Sequence, residues 1–289
     1  MFKNKNNQIR SGWFIFVAFI LMVILNGLFS YPGIYFFLKE VVVHDQSELY
    51  QMLEGHPWYN LFVNGGAVLG TIVSVIVAWR FLNKKKIIEL GFGKGFKKFG
   101  FGLILGGLSI TFIFMILLIT KQITLENDLI TPHFSTFTMT YLLFFIIVGF
   151  AEELFFRGYV MQTMRQTGNH KWVIYIVSAL IFSGAHGANP NVSILGLLNI
   201  FLVGLLFAYM FDKSNSLWMP IGYHITWNYF QGSVFGFAVS GTEPYGLYDV
   251  KLNSSHDFLT GGTFGLEGGL LATLMIIVGF FITYIYSKK

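Results

Sequence analysis

Long apolar runs separated by short polar segments are the dominant pattern in this 289-residue chain. A helix needs about 20 apolar residues to cross the hydrocarbon core of a bilayer. Runs of helix length predict a helical bundle, because a spanning segment must satisfy its own backbone hydrogen bonds. The predicted spans are Gly12–Ser30, Leu61–Trp79, Phe99–Thr120, Phe137–Arg157, Trp172–Ala188, Val192–Phe211, Leu217–Val239 and Leu270–Tyr286. We therefore predict an all-α, polytopic membrane bundle of about eight helices, formed as a single integral membrane domain over residues 1–289.

Composition agrees with this pattern. Hydrophobic residues make up 54% of the chain, charged residues only 11%, and the mean hydropathy is +0.63. The first run is interpreted as a retained helix rather than a signal peptide, because it lacks a small-residue cleavage site and seven more spans follow it. The chain has no cysteine, which excludes disulfides, thiolate metal sites and a cysteine nucleophile.

Basic residues are distributed unequally between the loops. With the N-terminus in the cytoplasm, the inner segments hold fifteen of the 19 Lys and Arg residues, and the outer segments hold Lys39, Lys121 and Lys251. The positive-inside rule therefore places both termini in the cytoplasm, in a multi-pass protein of the bacterial plasma membrane. The same asymmetry explains the basic pI, so the lipid bilayer is the expected partner and no nucleic acid is required.

Five ionisable residues fall inside the apolar runs. Glu152, Glu153 and Arg157 lie in the fourth run, and His186 and His224 lie in the fifth and seventh. A charge at the bilayer centre costs about 2.5–3.5 kcal/mol on insertion scales, so such residues usually have a function. A Glu–Arg pair or a single histidine could also simply hold helices together. The whole set, with Asn228, favours a site over packing.

The spacing of these residues predicts how they are arranged. Glu153 and Arg157 are four residues apart and can pair on one helix face, which leaves Glu152, about 100° round the helix, available for chemistry. His224 and Asn228 also share one face. In an antiparallel hairpin that turns near residue 169, Glu152 and His186 lie at the same depth.

A carboxylate, two imidazoles and a carboxamide can activate water and stabilise an oxyanion. Glu152 would act as general base, His186 would share the proton or orient the water, and His224 and Asn228 would donate to the oxyanion. Glu152 and the two histidines also match the ligand set of a catalytic Zn²⁺. No HExxH motif occurs, and both the metal and the metal-free interpretation remain open. A proton-coupled transporter is a third alternative, although no inverted pair of broken helices is apparent.

Three motifs resemble those of the CAAX prenyl protease and bacteriocin-processing family, also called Abi proteins. Glu152-Glu153-Leu-Phe-Phe-Arg157 resembles its EExxxR motif, Phe182-Ser-Gly-Ala-His186 its FxxxH motif, and His224-Ile-Thr-Trp-Asn228 its HxxxN motif. The order and spacing make the resemblance specific, although it covers only about residues 137–230.

The resemblance implies an intramembrane endopeptidase with residues 137–230 as its catalytic core. It implies that Glu152 and His186 activate water, that His224 and Asn228 form the oxyanion hole, and that Glu153 and Arg157 order the helix. The expected substrate is a hydrophobic or membrane-associated peptide. A non-catalytic immunity or scaffold protein that binds a peptide or a sensor protein is the alternative. The sequence predicts neither the substrate's identity nor the oligomeric state.

Overall fold

The structure is a computed structural model that describes residues 9–39, 55–93, 95–243, 245–253 and 257–288. Four of the basic residues used to predict the orientation lie outside the described residues: Lys3, Lys5, Lys94 and Lys289.

Each of the eight predicted apolar runs overlaps one of the longer helices among the described residues. These are α1 (Ser11–Lys39), α2 (Pro57–Leu82), α3 (Phe96–Ile119), α4 (Thr136–Gln166), α5 (Lys171–Ala185), α6 (Ile194–Ser214), α7 (Trp218–Tyr229) and α8 (Leu270–Tyr286). A short antiparallel pair of strands, β1 (Ile123–Leu125) and β2 (Val250–Leu252), joins two loops. The all-α prediction is confirmed.

Five helices among the described residues, α1 to α4 and α6, are long and apolar enough to cross a membrane. Helices α5 and α8 are apolar but shorter. The chain is accordingly a multi-pass membrane protein, while the count of eight spans and the cytoplasmic position of both termini stay predictions.

The helix in the seventh predicted run ends earlier than the hydrophobicity of the run suggests. Helix α7 continues as a π-helical turn, Phe230–Val234, and stops there rather than at Val239. Gly236 adopts a left-handed φ of +72°, which turns the chain out of the helix. Hydrophobicity alone does not indicate where this helix ends, because the residues after Val234 remain apolar and are packed in a loop.

By its internal contacts the chain divides into two compact units. The first unit comprises Met1–Leu90 with Met139–Asn169, and the second comprises Gly91–Thr138 with His170–Lys289. Glu152, Glu153 and Arg157 belong to the first unit, whereas His186, His224 and Asn228 belong to the second.

In the first unit, α1 packs along α2 and most of its apolar side chains stay exposed, as expected for a helix that faces lipid. Polar contacts connect α1 and α2 to the later half of α4. The Tyr159 hydroxyl donates to the carbonyl of Phe14 at 3.1 Å, and Asn83 Nδ2 donates to Thr163 Oγ1 at 3.1 Å. These contacts fix the part of α4 that follows its charged residues.

The second unit is built around the close pair α3 and α7, with α6 packed against both α5 and α8. A Cβ at Gly222 would lie 2.4 Å from the carbonyl oxygen of Phe99, so only glycine permits this approach of α7 to α3. The aromatic core beside it includes Phe114, Phe207 and Tyr223. This core holds α7, and with it His224 and Asn228.

Candidate active site

The ion pair predicted on α4 is present. Arg157 Nη1 donates to Glu153 Oε1 at 2.8 Å, and neither side chain has any exposed surface. The guanidinium also lies 5.8 Å from the centre of the Phe156 ring. Because removal of one partner would leave a buried charge uncompensated, this pair fixes the local structure of α4.

The backbone of α4 changes at this point. Its α-helical part, Thr136–Glu153, gives way to a π-helical segment, Leu154–Met161, before Gln162–Gln166 returns to α-helix. The π-helix is rare and occurs frequently at functional sites. Arg157 sits inside this segment, and Glu152 and Glu153 are the last two residues before it.

The two adjacent glutamates have different environments. Glu153 is fully buried with its cation, whereas Glu152 is partly exposed. The two side chains are about 100° apart round the helix, so they lie in differently buried surroundings. The environment of Glu152 therefore suits a carboxylate that meets water.

His186 caps the C-terminal end of α5 and is partly buried. Its Nδ1 lies 2.8 Å from the carbonyl oxygen of Phe182, one helical turn earlier. A carbonyl only accepts, so this contact assigns the proton of the neutral ring to Nδ1 and the lone pair to Nε2. The ring also packs edge-on against Phe182, with 4.8 Å between ring centres.

His224 lies on α7 with 6% of its surface exposed, and Asn228, one turn later, has 8% exposed. The imidazole of His224 stacks on Phe207, with ring centres 5.3 Å apart, and meets the Phe182 ring edge-on at 6.2 Å. Phe182 therefore contacts both imidazoles. Within the second unit, the structure brings the FxxxH and HxxxN segments together around one aromatic ring.

Residues 134–230 match the family described as Rce1-like, type II CAAX prenyl endopeptidase Rce1-like. The resemblance predicted from the three motifs is confirmed. The match covers about a third of the chain and contains all six candidate residues. The chain is also 26% identical to the Bacillus subtilis (strain 168) protein named "Uncharacterized protein YyaK", over 75% of this chain and 76% of that protein. No solved structure matches.

The Rce1-like region spans both compact units. Glu152 lies on α4 in the first unit, and the two histidines with Asn228 lie on α5 and α7 in the second. The meeting of Glu152 with His186 across the α4–α5 hairpin stays a prediction.

A zinc ion in the Rce1-like region would need three or more donors close together. No group of three His, Asp or Glu side chains able to hold a metal occurs among the described residues. The metal-dependent interpretation stays a prediction, and the mechanism below is written with protein groups alone.

One buried carboxylate, that of Glu267, was not predicted from the sequence. Glu267 lies in the loop before the last predicted span, yet only 8% of its surface is exposed. It contacts Gln231, which follows His224 by seven residues and Asn228 by three. The positions 224, 228 and 231 follow the i, i+4, i+7 pattern of one helix face, and that was the available signal.

Proposed function

We propose that this chain is an intramembrane peptide hydrolase that cleaves a hydrophobic or membrane-held peptide with a water activated by Glu152 and His186. The observation that carries the proposal is the contact of both motif histidines with the Phe182 ring, inside the region that matches a protease family. Two imidazoles held this closely can act on one bound group.

The proposed reaction is a direct attack of water on a peptide carbonyl. Glu152 takes a proton from the water while the water oxygen bonds to the carbonyl carbon. Negative charge then develops on the carbonyl oxygen, where His224 and Asn228 donate hydrogen bonds. Collapse of the tetrahedral intermediate breaks the C–N bond, and the proton held by Glu152 passes to the leaving amine.

His186 has a narrower role in this scheme. Its Nδ1 proton is directed to the carbonyl of Phe182, so Nε2 accepts a hydrogen bond. An acceptor at that position orients the water and keeps its second proton away from the reacting carbonyl. Glu153 and Arg157 touch neither water nor substrate, and they hold the end of α4 that presents Glu152.

Candidate substrates follow from the name of the matched family, whose members are CAAX prenyl endopeptidases. The first probe is a quenched fluorescent peptide with a farnesylated cysteine near its C-terminus. Its partner probe is the same peptide without the lipid. Faster cleavage of the farnesylated peptide would indicate recognition of the prenyl group, and equal rates would indicate recognition of an apolar peptide.

The decisive variant is Glu152→Gln, assayed in proteoliposomes with both peptides. Loss of a general base costs about 10²–10⁴-fold in rate, so cleavage should fall by a factor in that range. Glu89→Gln is the matched control, because Glu89 is an exposed carboxylate of the same unit, 3.7 Å from Lys85. Unchanged cleavage in Glu152→Gln, or no cleavage of any peptide by the wild type, would favour a binding or scaffold role.

We further propose that the chain acts as one domain of eight spans in the bacterial plasma membrane, with both termini in the cytoplasm. The unequal distribution of Lys and Arg supports this orientation. A reporter that works only in the cytoplasm should be active when it is fused to the C-terminus. Activity of a reporter that works only outside the membrane would overturn the orientation.

A further inference from the structure

Glu267 is the one buried carboxylate among the described residues of the second unit. It lies in a single 3-10 turn, Leu266–Gly268, directly before α8. The preceding Gly265 has φ +102°, and a Cβ there would lie 1.9 Å from the carbonyl of Ala238, so the turn is pressed against the loop after α7. Glu267 takes no part in the proposed mechanism, and its burial needs another explanation.

The carboxylate of Glu267 is held by two side chains from other segments. Gln231 Nε2 donates to its Oε2, and Ser240 Oγ donates to its Oε1 at 3.3 Å. The same Gln231 amide also donates to the carbonyl of Ala238 at 2.6 Å. Burial raises the pKa of Glu267, and the bonds from Gln231 and Ser240 oppose that shift.

Gln231 connects Glu267 to the helix that carries His224 and Asn228. It lies in the π-helical turn Phe230–Val234, which continues α7 without a break. Its own main-chain carbonyl accepts from the amide of Phe237 at 2.9 Å, so both its side chain and its backbone are fixed. Glu267 therefore anchors the end of α7, one turn beyond Asn228.

Ser240 connects Glu267 to the segment that carries His186. The carbonyl of Ser240 accepts from the side-chain Nδ2 of Asn189 at 3.0 Å. The main-chain N–H of Asn189 donates to the carbonyl of His186 at 3.1 Å. Gly241, the next residue, packs against the carbonyl of Pro190. The turn after α5 is thus tied to the loop that Glu267 holds.

We propose that Glu267 is a positioning residue: by binding Gln231 and Ser240 together, its carboxylate sets the position of the His186 turn relative to the His224–Asn228 helix. The proposal extends the proposed hydrolase function, on which its kinetic consequence rests. Its structural consequence does not depend on activity and can be measured separately.

The main chain of the same turn reinforces this arrangement. Asn199 Nδ2 donates to the carbonyl of Glu267 at 2.8 Å and to that of Gly269 at 2.9 Å, and Thr273 Oγ1 donates to Asn199 Oδ1 at 2.7 Å. These bonds fix the turn to α6 and α8 without using the carboxylate. Substitution of the Glu267 side chain should therefore leave the turn in place and break only its two side-chain links.

The kinetic test compares Glu267→Met, which keeps the size of the side chain and removes its acceptors, with Glu267→Gln, which keeps an acceptor. A displacement of about 1 Å at a catalytic group can cost 10²-fold, so Glu267→Met should lower kcat on the fluorescent peptide by that order and leave KM nearly unchanged. Glu267→Gln should retain most of kcat. Lys98→Met is the matched control, since it removes a 2.7 Å bond to the carbonyl of Ser214 in the same unit.

The structural test uses the absence of native cysteine from the chain. Spin labels at Ala188→Cys, which is exposed, and Tyr229→Cys, which is partly exposed at the end of α7, report the distance between the His186 turn and the helix of His224 and Asn228. Glu267→Met should broaden the distribution of label distances, and Glu267→Gln should not. If Glu267→Met does not fold, Ser240→Ala removes one of the two links and should give a smaller change of the same kind.

The outcomes separate the two proposals. An unchanged distance distribution in Glu267→Met, or a broadened one with an unchanged kcat, would overturn the positioning role while leaving the hydrolase intact. A wild type that cleaves no peptide would overturn the hydrolase, and the label distances would still decide whether Glu267 links the two segments.

Discussion

The two compact units stabilise a buried carboxylate in different ways. In the first unit, Glu153 is paired with the full charge of Arg157 on the next turn of the same helix, at 2.8 Å. In the second unit, Glu267 is held by the neutral donors of Gln231 and Ser240, which come from distant segments. A charge partner makes local structure rigid, whereas neutral donors from different segments connect parts of the fold that carry separate motifs.

Removal of the cation should produce the largest effect. Arg157→Met leaves the Glu153 carboxylate buried without its partner, a change that costs about 3–5 kcal/mol. The expected result is a large decrease in the thermal unfolding temperature of the detergent-solubilised protein. The double variant Glu153→Gln/Arg157→Met removes both charges and should recover most of that loss. An Arg157→Met protein as stable as the wild type would show that the pair contributes nothing.

Removal of the acceptor at Glu267 should destabilise the protein less. Glu267→Met leaves the Ser240 hydroxyl and one Gln231 N–H without their acceptor, and an unsatisfied buried polar group costs about 1–3 kcal/mol. Thermal unfolding of Glu267→Met and Arg157→Met in one detergent gives the comparison directly. A larger decrease in unfolding temperature for Glu267→Met than for Arg157→Met would contradict the expectation that the ion pair contributes more stability than the neutral hydrogen bonds.

The smallest effect expected is a dependence of stability on pH. Burial raises the pKa of Glu267 above its usual 4.5, so the folded protein binds this proton more tightly than the unfolded chain. The contribution of Glu267 to the unfolding free energy is therefore greatest below pH 4.5 and decreases as the pH rises through the raised value, by at most about 1.4 kcal/mol per pH unit. Unfolding temperatures of the wild type and Glu267→Gln should diverge over this range, and parallel curves would contradict the shift.

Much of the local structure could be predicted from the sequence, because its causes are local. Runs of apolar residues predicted each longer helix, and the four-residue spacing predicted the contact of Glu153 with Arg157. Residue spacing also placed His224 and Asn228 on one turn of α7. Each of these depends on neighbours within one or two helical turns.

The contacts of Glu267 could not be predicted in this way. Its partners Gln231 and Ser240 are 36 and 27 residues away, across a glycine-rich loop with no periodic pattern. The early end of α7 was missed because the residues that leave the helix are as apolar as those inside it. The aromatic contact of Phe182 with both histidines likewise depends on the packing of α5 and α7 against α6, which spacing alone does not specify.

The proposed hydrolase function requires Glu152 and His186 to act together on one water. A double-mutant cycle on peptide cleavage, with Glu152→Gln, His186→Ala and the combined variant, tests it most directly. Groups that act as a unit are not additive, so the combined variant should lose about as much kcat as the more damaging single change. A combined loss equal to the product of the two single losses would show that the two residues act independently, and would contradict a shared site.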